Sequence, residues 1–197
     1  MKKIVVPGEE IEDENVRTHV YRDNGKKYSM IHGVLYKTEG YSKIIPLTHR
    51  YMPKEGDTVI GIVESVKYGG CIVKLNAPYD AFLETREDYE IGDVVSAKVE
   101  SVSEVKDIKL GNERKFHGGE VFDIDPSKIK RIIGKKASMV TMIKEKTGSK
   151  IFVGQNGRVW VKDGDIEKVE EVMRKIEREA HETGLTEKIE NYLTGDK

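Results

Sequence analysis

Hydrophobic residues recur at every second position in short runs up to about residue 112, and beyond residue 119 runs at helical spacing are interleaved with them. Between residues 1 and 55 the runs at 28–36 and 42–47 alternate and predict strands, interrupted by Asn24-Gly25 and Glu39-Gly40 turns. No helix is predicted there, and Pro53-Lys54-Glu55-Gly56-Asp57 reads as a turn and a domain boundary. Five further runs follow at 58–66, 71–75, 81–84, 94–102 and 105–110. Five short strands so closely spaced predict a small closed barrel, because closure removes exposed edges.

Beyond Gly118-Gly119 the period changes. A strand is predicted at 120–124, followed by a short helix capped by Asp125 or Ser127 with Ile129, Ile132 and Ile133 on one face. A turn at Gly134-Lys135-Lys136-Ala137 leads into a second helix at 138–146, burying Met139, Met142 and Ile143 and stopped by Gly148. Residues 150–153 and 158–161 alternate as a hairpin around Gln155-Asn156-Gly157. Asp165 then caps a long helix carrying Val169, Val172, Met173 and Ile176 on one face. The expected architecture is multi-domain, β and α+β: a β-rich part at 1–55, a five-stranded barrel at 56–117, and at 118–197 a βααββα unit ending in a C-terminal helix.

Composition narrows the function classes. Of 197 residues, 37% are hydrophobic and 35% charged, and no apolar run approaches the roughly 18 residues of a bilayer helix. No membrane segment and no signal peptide is expected. A single cysteine, Cys71, excludes an internal disulfide and a cysteine-rich zinc site, and makes a reducing, cytoplasmic setting the default. Cys71 itself reads as a small core or barrel residue. The net charge of -1 hides segregation. Lys128, Lys130, Arg131, Lys135, Lys136, Lys144, Lys146 and Lys150 are opposed in their stretch only by Glu145, whereas residues 163–190 are acidic. That pattern predicts a local anion-binding site.

No catalytic constellation is legible. The carboxylates are scattered, and His19, His32, His49, His117 and His181 lie in different segments without metal-ligand spacing. There is no phosphate-cradling Walker loop, so neither a catalytic residue nor a metal or cofactor is expected.

The stretch Ile132-Ile133-Gly134-Lys135-Lys136-Ala137-Ser138-Met139-Val140 resembles the signature of a KH domain of type I, a helix end followed by G-x-x-G and a second helix. Such a loop lets phosphates approach backbone N–H groups at the start of the second helix. The resemblance implies RNA contact at Arg131, Gly134, Lys135 and Lys136. Ala137 replaces the second glycine. If that position needs a positive φ, alanine costs about 1 kcal/mol and the KH unit is expected to be partly structural, the barrel doing most of the guiding. The middle segment resembles an S1 domain, an OB-fold barrel that binds single-stranded RNA, at Gly56-Asp57, Gly61, Val66, Tyr68-Gly69-Gly70 and Ile91-Gly92-Asp93-Val94. It implies contacts at Lys67, Tyr68 and Lys74, with Arg114 and Lys115 just beyond its end. Cys71 stands where a second aromatic would, and Glu84 where a histidine would.

The three parts together, with Val6-Pro7-Gly8-Glu9 and the junction at residues 46–61, resemble the archaeal exosome cap subunits of the ribosomal RNA processing protein 4 family. The resemblance implies a homotrimer, or a mixed trimer with the other cap subunit, seated on a hexameric ring of RNase PH-like subunits. Such a cap binds single-stranded RNA and guides 3′ ends inward without cutting. Residues 1–55 would be the docking part, through the apolar runs Ile4-Val5-Val6 and Ile44-Ile45. The rival is a stand-alone S1/KH RNA chaperone or a translation or transcription regulator.

Overall fold

Period-two alternation builds thirteen short strands and helical spacing builds four helices among the described residues of this computed structural model: 2–13, 15–16, 19–38, 41–46, 51–103, 107–180, 182 and 184–194. The chain divides into two units, 1–49 and 50–197.

In the first unit, β1 (Lys2–Val5) and β5 (Tyr41–Pro46) both pair antiparallel with β4 (Gly33–Thr38). β2 (Val20–Asp23) and β3 (Lys26–Ser29) form a separate hairpin, whose turn residues Asn24 and Gly25 both take positive φ. The single strand expected over 28–36 is broken at Met30–His32 because the Ser29 hydroxyl donates to the Ile31 carbonyl (2.7 Å) and closes a local turn. The core is small: Val5, Ile11, Val16 and Ile44. Alternation divides the apolar runs expected to face outward. Ile4 and Val6 are 62% and 48% exposed, while Val5 and Ile44 are buried; the side chain of Ile45 lies outside the described residues. Asp13 is buried, accepting from the Ser42 hydroxyl (2.8 Å) and the Asn15 N–H, and pairing with Lys37; these hold its carboxyl down to about 2.

The second unit begins with a closed barrel of β6 (Thr58–Lys67), β7 (Gly70–Lys74), β8 (Ala81–Glu84), β9 (Val94–Val102) and β10 (Ile108–Phe116), in the order β10-β8-β7-β6-β9. Every pairing is antiparallel except β10 with β8. Inward positions, including Val59, Val63, Cys71, Val73, Leu83, Val95 and Leu110, fill the core. Tyr51, ahead of the predicted turn, packs into this core, and its hydroxyl donates to Asp57 (2.7 Å). Burial and the Asp57 carboxylate push that hydroxyl well above its usual range. β10 runs to Phe116, six residues past the expected end, because a bulge with Asn112 at φ 48° lets its polar second half stay in register with β9. Val105, read as the start of that strand, lies outside the described residues.

The remaining chain supplies β11 (Glu120–Asp123), α1 (Ile129–Ile133), α2 (Ser138–Thr147), β12 (Lys150–Val153), β13 (Arg158–Lys162), α3 (Ile166–Glu179) and α4 (Leu185–Thr194). The antiparallel sheet has the order β11-β13-β12. Asp125 caps the entry by accepting from Ser127 N–H (2.8 Å), and Asp165 caps α3 by accepting from Lys168 N–H (2.9 Å). Val140 joins Met139 and Ile143 in the core, while Met142 is only half-buried. α4 was not expected as a separate helix. It packs on α2 and α3 and places Leu185 and Ile189 in the same core.

The β12–β13 loop joins this unit to the barrel. β6 pairs with β9 from Thr58 to Ile62 on one side, but with β7 only from Ile62 onward on the other. The gap is filled by the loop. Thr58 N–H donates to Gln155 Oε1 (3.0 Å) and Gln155 N–H donates to the Thr58 carbonyl (2.8 Å). Asn156, fully buried, accepts from Ile60 N–H (3.1 Å) and donates to the carbonyls of Ile60 (2.7 Å) and Leu75 (2.6 Å). Arg158 donates to the Lys74 carbonyl (2.5 Å), and the rings of Phe116 and Trp160 stack at 4.2 Å. Backbone groups that would otherwise lie buried and unpaired are thereby satisfied.

Candidate nucleic-acid interface

The α1–α2 connection carries two adjacent exposed lysines, Lys135 and Lys136. α1 ends at Gly134 (φ 76°, ψ 175°), where a Cβ would stand 2.8 Å from Met139 N; glycine is required. Lys136 (φ 54°) and Ala137 (φ 63°) are both left-handed. Ala137 therefore occupies a conformation in which a glycine would be at ease, and the alanine strains the turn. The first turn of α2 has no side-chain cap and no acidic residue; Ser138 N–H donates to the Lys135 carbonyl, and no side chain caps the N–H groups that follow. Lys135 and Lys136 are exposed beside them.

Ion pairing separates these cations from the others. None of Lys128, Lys130, Lys135, Lys136, Lys144 and Lys146 makes an ion pair among the described residues. Lys150, by contrast, is bound to Asp163 (2.9 Å). Arg131 is engaged by a backbone carbonyl: its Nη2 donates to the Glu182 carbonyl (2.6 Å).

On the barrel the predicted residues separate. Lys67 and Tyr68 stand exposed at the β6–β7 tip. Lys74 is paired with Glu64, which raises the Lys74 pKa through hydrogen bonding and charge. Lys115 is paired with Asp93, donates to the Asp88 carbonyl (3.3 Å) and lies 5.2 Å from the Tyr89 ring centroid. Arg114 is exposed, its guanidinium 5.8 Å from the Phe116 centroid. Asp80, Glu84, Glu87, Asp88 and Glu90 are all exposed and make the neighbouring loops acidic.

One outward feature went unassigned in the sequence. Phe82 faces out from β8, half-buried, in register with Ile72 on β7 and Lys109 on β10. The signal was present, since Ala81 and Leu83 are core and their neighbour must point the other way. A ring flanked by an ammonium can stack on a base. Among the described residues no group of three His, Cys, Asp or Glu side chains converges to hold a metal ion, and His19, His32 and His117 are exposed; His49 and His181 lie outside the described residues. No helix among the described residues is long and apolar enough to cross a membrane.

Left-handed Ala137 also makes a stability prediction. Ala137→Gly relieves the strain, partly offset by the unfolded chain's greater freedom, and should stabilise the protein by about 0.5–1 kcal/mol. Denaturant titration should show the midpoint rise while single-stranded RNA affinity changes less than about twofold, or under ~0.4 kcal/mol.

Comparison with known proteins agrees with this geometry. Residues 119–167 match the KH domain family. A crystal structure described as a candidate exosome complex RNA-binding protein superposes with a TM-score of 0.67 at 28% identity, covering 75% of this chain and 97% of that one. Exosome complex component Rrp4 of Methanobrevibacter smithii is 40% identical over 98% of this chain and 71% of its own length. The Methanosarcina mazei protein of the same name is 38% identical over 100% and 83%, and that of Methanothermus fervidus 37% over 98% and 95%. With its S1-type barrel, its KH unit and a similarity spanning nearly the whole chain, the protein belongs to the Exosome complex component Rrp4 family.

Proposed function

We propose that this chain is a non-catalytic RNA-binding subunit that caps an exosome ring of RNase PH-like subunits, as a homotrimer or in a mixed trimer, and guides RNA 3′ ends inward in the cytoplasm. The observation that carries the proposal is similarity to Exosome complex component Rrp4 over 98–100% of the chain. That span includes the N-terminal sheet, which a stand-alone S1/KH chaperone or regulator has no reason to carry.

Three parts divide the work, with boundaries at 1–55, 56–117 and 118–197, Tyr51 serving as the barrel's first anchor. The KH loop is the main electrostatic clamp, through Gly134, Lys135 and Lys136 beside the uncapped start of α2. Its lysines are unpaired, whereas Lys74 and Lys115 on the barrel are engaged by carboxylates. The barrel tip with Lys67 and Tyr68, the exposed Arg114, and the outward Phe82 offer secondary contacts.

Docking belongs to the N-terminal sheet, where Ile4 and Val6 present apolar side chains to solvent. The full-length double variant Ile4→Asp, Val6→Asp should fold normally, because both positions are exposed. It should recover ring subunits about tenfold less efficiently in co-purification, corresponding to ~1.4 kcal/mol of lost affinity. Stoichiometric recovery of the ring with the unaltered chain is the test of the assignment itself. If the unaltered chain recovers no ring, the cap reading is wrong; if the variant recovers the ring fully, the docking face lies elsewhere.

A further inference from the structure

We infer that Arg131 is a positioning residue for the RNA loop and that Glu182 with α4 (Leu185–Thr194) is its brace; this rests on the RNA-binding reading of that loop. The turn from Gly134 to Ala137 holds two non-glycine residues left-handed. Such strain persists only where the structure on both sides over-determines it. α1 contains five residues and cannot hold one end of the turn alone.

The C-terminal segment supplies what α1 lacks. Arg131, three residues before Gly134, donates to the Glu182 carbonyl at 2.6 Å and ties α1 to the α3–α4 connection. Glu182 is fixed in turn. Glu182 N–H donates to the Glu179 carbonyl (2.9 Å), and Lys188 pairs with Glu179 (2.7 Å) and Glu182 (3.0 Å). Downstream, Leu185 and Ile189 are buried, and α4 packs on α2, the helix at the other end of the turn. Tyr192 anchors the far end, its hydroxyl on Glu171 and its ring 4.1 Å from Lys168 Nζ. One segment thus holds both helices that present Lys135 and Lys136, and Arg131 acts through a backbone carbonyl.

The two roles for Arg131 separate in a salt titration of the full chain with a uridine homopolymer. Arg131→Met removes charge and donor together. A positioning residue predicts affinity falling several-fold with the slope of log affinity against log salt unchanged, and Arg131→Lys restoring most of the loss because an ammonium can still reach the carbonyl. A phosphate contact predicts the slope falling by about 0.7, which would overturn the inference. Gly184→Val gives an independent arm without any charge. Gly184 has φ 70° and open space where a Cβ would stand, so valine disturbs the connection through its backbone alone. It should weaken binding several-fold at constant slope, and unchanged affinity would refute the brace. A Lys135→Ala, Lys136→Ala control distinguishes the failures. If that control loses nothing, the loop is not the RNA site; if it alone loses affinity, only the brace is refuted.

Discussion

Replacing Lys135 and Lys136 together by alanine should weaken single-stranded RNA binding by about 25-fold at 0.1 M salt, and hardly at all near 1 M. The figure follows from counterion release. Each phosphate contact on a single strand contributes about 0.7 to the slope of log affinity against log salt, so two lost contacts remove about 1.4. Neither lysine is engaged by a carboxylate, so both charges are available to the ligand. The loss should be similar for purine and pyrimidine homopolymers, because phosphate contacts carry no base information. Lys74→Ala should flatten the slope by less than either loop lysine, since its Glu64 partner already neutralises it. An unchanged slope in the loop variant would move the RNA path on to the barrel.

Asn156→Ala should be the most destabilising single substitution on the barrel–KH seam. It leaves Ile60 N–H and the carbonyls of Ile60 and Leu75 without their Asn156 partner, in a region where Ile60 and Leu75 are at most 1% exposed. A buried polar group left unpaired costs about 1–3 kcal/mol, so the expected loss is about 3–5 kcal/mol. At roughly 2–4 °C per kcal/mol for a unit of this size, the melting temperature should fall by roughly 6–20 °C. Asn156→Asp adds a sign. The aspartate keeps the acceptor for Ile60 N–H but turns its second oxygen toward two carbonyls, which raises its folded-state pKa above the unfolded value. Stability should then be greatest at acidic pH, where the protonated acid can donate, and be lost as pH rises through the folded pKa. A melting temperature equal to that of the unaltered chain would mean that the loop does not complete the barrel wall.

Local chemistry was legible in the sequence, and long-range pairing was not. The barrel strands, the α1–turn–α2 unit and the α3 face followed from alternation, glycine turns and caps, because these express the nearest neighbours of each residue. Ser29 broke a strand through a side-chain turn that alternation does not register. β10 outran its prediction because a polar run can hold a ladder once a bulge restores its register. α4 carries the spacing Leu185, Ile189, Tyr192, Leu193, but so short a helix gains its stability only from the packing it meets. Asn156 was the plainest case. Gln155-Asn156-Gly157 reads as a hairpin turn, and nothing within ten residues reveals partners at Ile60 and Leu75.

The same limit shaped the candidate site. Lysine density pointed to residues 128–150, but which cations are free depends on carboxylates remote in sequence: Glu64 for Lys74 and Asp93 for Lys115. Arg131 looked like part of the basic cluster, and its carbonyl partner is 51 residues away. The condition placed on Ala137 is met, as φ there is 63°. Alanine holds that left-handed position at a cost in strain.

The central claim, a non-catalytic RNA-guiding cap, is tested most directly by following a 3′-tailed single-stranded RNA under three conditions: with the purified chain alone, with the ring alone, and with the reconstituted assembly. The account predicts no cleavage by the chain alone, with or without divalent metal. It also predicts tighter RNA capture and more processive 3′-to-5′ degradation by the assembly than by the ring. Cleavage by the isolated chain, or an assembly that captures and degrades RNA no better than the bare ring, would contradict it.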